Sequence, residues 1–123
     1  MQINIVSFGY KHGMPSGTTF TVDCRVIKNP AQDIFLRTFR GTDKEVKKAI
    51  KENPRYEPLY DYLVNTTYSF LKEERKAILI GIGCHSGHHR SVAIAEELAK
   101  DLKKHCLVGL YTISVKHRDI DKE

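Results

Sequence analysis

The chain contains 123 residues, of which 41% are hydrophobic and 28% are charged, and its formal net charge at pH 7 is +5. This length suits one domain with a core of ordinary size. No segment approaches the roughly twenty apolar residues that cross a bilayer, and the amino terminus lacks a secretory pattern, so we expect a cytoplasmic protein without a membrane partner. The basic charge is compatible with nucleic-acid contact but is not specific for it.

Cysteine usage points to a reducing compartment. The three cysteines, Cys24, Cys84 and Cys106, form no Cys-x-x-Cys pair, which argues against a disulfide scaffold and a zinc ribbon. Four histidines could attract zinc, but none has a spacing to cysteine that matches a structural zinc site: His85, His88, His89 and His117. We therefore expect neither a metal nor a cofactor.

The amino-terminal third predicts two strands separated by a loop. Residues 2–8 have a short strand pattern, and residues 10–17 contain glycine and proline breaks that indicate a loop. Residues 19–27 are β-branched and apolar, as in a second strand, but Asp23 and Arg25 interrupt them. These two side chains either pair with each other or with neighbours, or Arg25 leaves the strand end to face a ligand.

The middle of the chain predicts two helices. Thr42 with Glu45 three residues later has the spacing of a capping box, so a short helix is expected from Asp43 to about Glu52. A longer helix is expected from Tyr56 to about Glu74, because apolar side chains recur along this stretch.

The second half predicts a strand, a helix and a strand. Residues 77–82 indicate a buried strand that ends at Gly83. From Arg90 to Lys104 apolar residues recur at three- and four-residue steps, as on one face of a helix. Residues 106–115 are again rich in β-formers, which favours a right-handed crossover. The predicted fold is a single-domain α/β structure, with a mixed or parallel sheet and flanking helices.

The loop that enters the helix at Arg90 has the composition of an anion site. The first turn of a helix has free N–H groups and partial positive charge, and glycine lets the backbone approach a ligand. Arg90 can offer a planar fork to phosphate, and the serine and histidine side chains can donate hydrogen bonds: Ser86, His88, His89 and Ser91. The alternative is an ordinary strand-to-helix connection with polar caps.

Two residues near the carboxyl terminus are expected at the same edge of the sheet. His117 and Arg118 follow the last predicted strand, and ligands of open α/β sheets bind beyond the carboxyl ends of the strands. Both would then face the crevice that contains Arg90. The alternative is a frayed basic tail with no role in binding.

Several short motifs occur in a fixed order along the chain: Ser7–Gly13 with Pro15, Asp23–Arg25 with Asn29 and Pro30, Gly41–Asp43, Gly81–Cys84, Gly87–Ser91 and His117–Asp119. From about residue 3 to residue 120, this set resembles the carboxyl-terminal domain of the RapZ family of RNase adapter proteins. RapZ-like proteins also have an amino-terminal P-loop domain. This chain has no Gly-x-x-x-x-Gly-Lys-[Ser/Thr] motif, so we expect a free-standing version of the second domain over residues 1–123.

The resemblance implies a fold similar to a phosphofructokinase subdomain, self-association into a homo-oligomer, and binding of an amino-sugar phosphate such as glucosamine 6-phosphate. It also implies a regulatory or RNA-adapter role, with structured RNA as a second partner. The residues that the resemblance places around the phosphate are His85, Ser86, Gly87, His89, Arg90 and Ser91. The full set of predicted ligand-binding residues adds Ser7, Lys11, Arg25, His88, His117 and Arg118.

A different function follows from spacing alone. Cys84 and Arg90 are separated by five residues and followed by a serine, as in cysteine-dependent phosphatases. In that chemistry a thiolate attacks phosphorus, arginine holds the equatorial oxygens, and an aspartate protonates the leaving group. The catalytic set would be Cys84, Arg90 and an acid, either Asp23 or Asp43. Three hypotheses therefore remain: a module that binds a phosphorylated metabolite, a phosphatase and an RNA-binding adapter.

Overall fold

The computed structural model describes residues 1–105 and 109–123. Four parallel strands form one sheet, and three helices accompany it. The strands are β1 (Gln2–Gly9), β2 (Phe20–Asp23), β3 (Ala77–Cys84) and β4 (Thr112–His117), and the helices are α1 (Lys44–Lys51), α2 (Tyr56–Leu71) and α3 (Arg90–His105). A short 3-10 turn, Tyr10–His12, follows β1, and a second one, Pro30–Gln32, lies between β2 and α1.

The order of strands across the sheet is β2-β3-β1-β4, and every neighbouring pair is parallel. Ile5 at the centre of β1 lies opposite Ile80 on one side and Val115 on the other. Because all strands run the same way, their carboxyl ends meet at one edge, which collects Gly9, Cys84 and His117. The predicted α/β fold with a parallel sheet is confirmed.

One hydrophobic core lies between the sheet and the helices. It contains alternate residues of β1 and β3, together with the apolar stripe of α3 and contributions from α1 and α2: Ile3, Ile5, Ile78, Ile80, Ile82, Ile94, Leu98, Leu102, Val46, Ile50 and Leu63. Helix α3 contacts β1, β3 and β4. The intervening residues of β1, such as Asn4 and Val6, point to the other face, because successive side chains of a strand alternate.

The second strand is shorter than its sequence predicts. The predicted strand covered residues 19–27, whereas β2 ends at Asp23. Asp23 accepts hydrogen bonds from the backbone N–H of Arg25 at 2.9 Å and from its guanidinium at 2.6 Å. A side chain that bonds the backbone two residues later forms a turn. This turn begins at the last bond to β3, from the N–H of Cys24 to the carbonyl of Gly83 at 2.7 Å. Asp23 and Arg25 therefore pair with each other.

The predicted capping box is wrong. Residue Asp43, not Thr42, is the N-cap of α1, and its side chain makes no capping hydrogen bond. The Asp43 carboxylate instead accepts from the backbone N–H of Arg40 at 2.7 Å. A short polar side chain can bond the backbone before it or after it. The Asp43 carboxylate bonds the turn before it and not the first turn of α1.

The boundaries of other elements also differ from prediction. Strand β3 continues through Gly83 to Cys84, because both residues pair with the end of β1. Helix α2 ends at Leu71 rather than Glu74. Strand β4 spans Thr112–His117 rather than residues 106–115, and residues 106–108 of that prediction lie outside the described part of the chain.

Truncation of Leu63 tests the position of the core. Leu63 of α2 is fully buried in the core, whereas its neighbour Tyr62 is 59% exposed. We expect Leu63→Ala to lower the free energy of unfolding by about 2–5 kcal/mol, since it leaves a cavity. The matched control Tyr62→Ala should change it by less than about 0.5 kcal/mol. Urea denaturation measures both, and equal effects would contradict this packing.

Candidate functional site

A five-residue loop, residues 85–89, joins the carboxyl end of β3 to the first residue of α3. The backbone of neighbouring segments holds this loop on two sides. Lys11 donates its N–H to the carbonyl of His85 at 3.1 Å, and Gly41 donates its N–H to the carbonyl of His88 at 2.8 Å. Gly87 has a φ of +79°, a conformation that favours glycine. The loop is therefore fixed by residues that are far away in the sequence.

Two glycines outside the loop let it pack backbone against backbone. A Cβ atom on Gly9 would lie 2.3 Å from the carbonyl carbon of Ser86, and one on Gly41 would lie 2.3 Å from the carbonyl oxygen of His89. Any side chain at either position would displace the loop. Sequence reasoning did not assign a role to Gly9, and it interpreted Gly41 only as part of a turn.

The N–H groups at the loop and at the start of α3 have no backbone acceptor within residues 1–105 and 109–123. Among the residues that the structure describes, none accepts a hydrogen bond from the N–H groups of residues 86–92. The carbonyl of His89 accepts from Ala93 at 3.0 Å, which starts the helical ladder. Free N–H groups at a helix start are general, but here those of the preceding loop add to them. Such an array stabilises negative charge.

Arg90 is buried and only partly free. Its side chain is 6% exposed, and its Nη1 donates to the carbonyl oxygens of Ile27 at 2.9 Å and Arg25 at 3.5 Å. The Nε atom has no partner within the described residues. One edge of the guanidinium therefore ties α3 to the segment after β2. Fewer N–H groups of this guanidinium are therefore left to bind an oxyanion than the sequence predicts.

The two histidines beside Arg90 differ in their partners. His89 is 4% exposed, and its Nε2 has no partner among the described residues. The Nε2 of His88 contacts the carbonyl oxygen of Lys122. Burial lowers the pKa of both imidazoles, and the nearby positive charge of Arg40 lowers them further. These effects outweigh the hydrogen bonds to the carbonyls of Lys122 and Phe39, which raise the pKa, so the neutral form of both imidazoles is favoured.

The structure gives the phosphatase interpretation no support. Cys84 is the last residue of β3, is 1% exposed, and has its Sγ 3.1 Å from the Oγ of Ser91. The hydroxyl of Ser91 is fully buried and thus faces the thiol. A buried thiol behaves as a small apolar side chain rather than as a nucleophile. Of the proposed acids, Asp23 pairs with the guanidinium of Arg25, and Asp43 accepts from the backbone N–H of Arg40.

Ser7 and His117 lie together, but on the helix side of the sheet. The Oγ of Ser7 is 2.7 Å from Nδ1 of His117, and Nε2 of His117 is 3.0 Å from a carboxylate oxygen of Glu96 on α3. Ser7 is fully buried. This chain of hydrogen bonds connects β1, β4 and α3. The sequence predicts that both residues face a ligand, whereas in the structure their polar atoms lie within hydrogen-bonding distance of each other.

A buried carboxylate that sequence reasoning missed holds the carboxyl terminus against β1. Asp119 is fully buried and accepts from the N–H of Gly9 at 2.7 Å, from Arg118 at 2.9 Å and from Lys122 at 2.8 Å. A Cβ on Gly87 would lie 2.9 Å from the Cβ of Asp119. The carboxylate thus fixes β1 next to the loop. Arg118, predicted to bind ligand, is engaged by Asp119 and by the carbonyl of Gly13.

Exposed cations surround this edge of the sheet. Lys11 and Arg25 are exposed, as is the uncharged Ser16 on the loop after β1. His85 is an exposed loop residue. The guanidinium of Arg25 lies 3.9 Å from the centre of the Tyr10 ring. Within residues 1–105 and 109–123, no group of three or more histidine, cysteine or acidic side chains is placed to hold a metal ion. The same residues contain no helix that is long and apolar enough to cross a membrane. The chemistry of this edge favours anions.

Replacement of Asp119 tests the anchor, by which we mean the buried Asp119 carboxylate that holds the carboxyl terminus against β1. Burial alone would raise the pKa of Asp119, but hydrogen bonds from Arg118, Gly9 and Lys122 hold it well below its usual range. Because the folded-state pKa is the lower one, the ionised carboxylate stabilises the fold above about pH 4. That contribution is lost as the pH falls from about 4 toward the folded-state pKa.

We expect Asp119→Asn to lower the free energy of unfolding at pH 7 by about 1–3 kcal/mol, since it removes charged hydrogen bonds. Between pH 4 and pH 2 the variant should lose stability less steeply than wild type. Urea titrations at several pH values measure both effects. The exposed Asp121→Asn is the matched control, and identical pH profiles for wild type and Asp119→Asn would rule out the anchor.

Comparison with known proteins gives a consistent family assignment. The family model of the RapZ C-terminal domain matches residues 1–121. A "Nucleotide-binding protein" of Limosilactobacillus fermentum is 36% identical over 124 residues, and those of Corynebacterium glutamicum and Heliobacterium modesticaldum are 40% and 37% identical over 124 and 130 residues. The matches cover 98%, 98% and 100% of this chain but only 42%, 39% and 41% of the relatives.

The chain thus spans about two fifths of the length of the curated relatives that it matches. The family model, by contrast, covers almost all of it. The chain therefore belongs to the RapZ C-terminal domain family.

Proposed function

We propose that this domain binds a small phosphorylated metabolite at the loop of residues 85–89 and the start of α3, and that it acts as a regulatory module. The observation that carries the proposal is the array of N–H groups of residues 86–92, which donate to no described residue. A phosphate group offers several acceptor oxygens to such an array, and the helix dipole favours its negative charge.

Two buried side chains support the same assignment. The Nε of Arg90 and the Nε2 of His89 are both without a partner among the described residues, although buried polar atoms are nearly always bonded. An anion at the loop would accept from the guanidinium. It would also favour the protonated imidazole, which can donate from Nε2. Binding would then satisfy groups that are costly to leave unpaired.

The loop is preorganised for this role. Contacts to Gly9 and Gly41 fix its backbone, and the Nη1 of Arg90 is held by the carbonyl of Ile27. A ligand therefore meets donors that need little rearrangement, which lowers the entropic cost of binding. The amino-sugar part of the proposal, with glucosamine 6-phosphate as the expected ligand, rests on the resemblance to the RapZ family. A nucleotide, as in the names of the relatives, would present the same phosphate chemistry.

A charge introduced into the loop tests the proposal without removing a buried group. Ser86 is partly exposed at the loop, and an aspartate near a helix start does not destabilise the helix. We expect Ser86→Asp to fold as wild type but to bind glucosamine 6-phosphate at least about tenfold more weakly, because like charges repel. Isothermal titration calorimetry measures the dissociation constants.

The control is Asn65→Asp, which makes the same change of charge at an exposed position on α2; its affinity should equal that of wild type. Parallel titrations with glucose 6-phosphate, ADP, glucosamine and inorganic phosphate identify the part of the ligand that matters. If Ser86→Asp binds as tightly as wild type, or if glucosamine alone binds as well as its phosphate, the loop is not the site.

We also propose that structured RNA contacts the exposed cations at this edge, as an adapter role requires. Lys11 and Arg25 are exposed there, and the net charge of +5 favours a polyanion. The logarithm of the affinity should fall linearly with the logarithm of the salt concentration. Lys11→Gln should lower that slope by about 1, while Lys76→Gln, at the opposite edge of the sheet, should leave it unchanged. Affinity that does not vary with salt would exclude this role.

Self-association also belongs to this proposal, since it is expected from the resemblance to the family. Light scattering of the intact protein at several concentrations measures it.

A further inference from the structure

The face of the sheet that is turned away from α3 contains a groove of about 600 Å³. Its lining comprises strand residues and one wall from the loop after β1: Asn4, Ile5, Val6, Leu79, Ser114, Lys116, Arg118, Met14, Pro15 and Ser16. Parallel sheets are usually covered on both faces. Here the described helices belong to the core on the opposite face, so this groove is open to solvent.

The strand register places the lining residues in two rows. Leu79, Asn4 and Ser114 lie side by side across β3, β1 and β4. Two residues further along the strands, Val6 lies beside Lys116. Because neighbouring strands are about 4.8 Å apart, the floor offers an apolar patch, Leu79 and Val6, next to a polar strip. The exposed side chain of Met14 is at the rim.

Two of the polar groups in the groove are available as donors. The Oδ1 of Asn4 accepts from the Oγ of Ser114 at 2.7 Å, which leaves the Asn4 amide nitrogen to donate. Lys116 makes no ion pair with any residue that the structure describes. Arg118 is engaged by Asp119 and by the carbonyl of Gly13. An occupant would therefore supply acceptors and negative charge near Lys116.

We propose that this groove is a second binding site, for a small organic anion with a flat apolar body. The apolar body lies on Val6 and Leu79, the anionic group pairs with the ammonium of Lys116, and an acceptor takes the amide N–H of Asn4. The volume is in the range of ligand pockets, and an apolar floor with a few convergent polar groups is their usual composition. The site lies on the other face of the sheet from α3, and its lining includes none of the loop residues 85–89.

The test uses two fluorescent probes that differ chiefly in charge, 8-anilinonaphthalene-1-sulfonate and the neutral N-phenyl-1-naphthylamine. Wild type should bind the sulfonate more tightly. Lys116→Gln should weaken the sulfonate about tenfold, since it removes a charge-assisted hydrogen bond, and should leave the neutral probe unchanged. Lys103→Gln, an exposed position on α3, is the matched control and should bind both probes as wild type does.

Amide shifts in ¹⁵N NMR spectra locate the bound sulfonate. We expect shifts at Asn4, Val6, Leu79 and Ser114, and saturating inorganic phosphate should not displace the probe. Three results would overturn the proposal: shifts confined to the helices, equal weakening in Lys116→Gln and Lys103→Gln, or probe binding that falls as the protein concentration rises. The last result would mean that another copy of the chain covers this face.

Discussion

The close approach of three backbone segments at the carboxyl edge of the sheet is the constraint on which the rest depends. Gly9 at the end of β1, Gly87 in the loop before α3, and the buried carboxylate of Asp119 after β4 meet there. Any Cβ on Gly9 would collide with the loop. A hydrogen bond from the N–H of Gly9 to Asp119 fixes β1 in place, so the sheet order determines the position of the loop.

This arrangement explains why the loop presents donors rather than side-chain bulk. Its carbonyl oxygens at His85 and His88 are bonded outward to Lys11 and Gly41, so its N–H groups turn away from those neighbours. Arg90 has a mixed role, because Nη1 supports the segment after β2 while Nε has no partner within the described residues. The polar groups thus divide between those that build the loop and those that can meet a ligand. The groove on the other face contains Arg118, which bonds Asp119, but none of the loop residues 85–89.

Sequence patterns predicted the elements with strong periodicity and missed contacts between distant residues. The start of α3 at Arg90 agrees with its prediction, because apolar residues recur regularly after it. The cap of α1 was predicted wrongly, since Thr42 and Asp43 can both cap and the outcome depends on Arg40. Burial of Asp119 could not be predicted, because its partner Gly9 is 110 residues away. Cys84 was assigned to the loop because Gly83 resembled a strand end, whereas pairing with β1 continues through it.

The most direct test of the central claim is a ¹⁵N NMR titration of the protein with glucosamine 6-phosphate, followed at the backbone amides. The account predicts that the amides of residues 86–92 shift together along one saturable curve, because their N–H groups would donate to the phosphate. Amides at the amino-terminal edge of the sheet, such as that of Lys76, should not move. Saturable binding that leaves residues 86–92 unshifted would contradict the account.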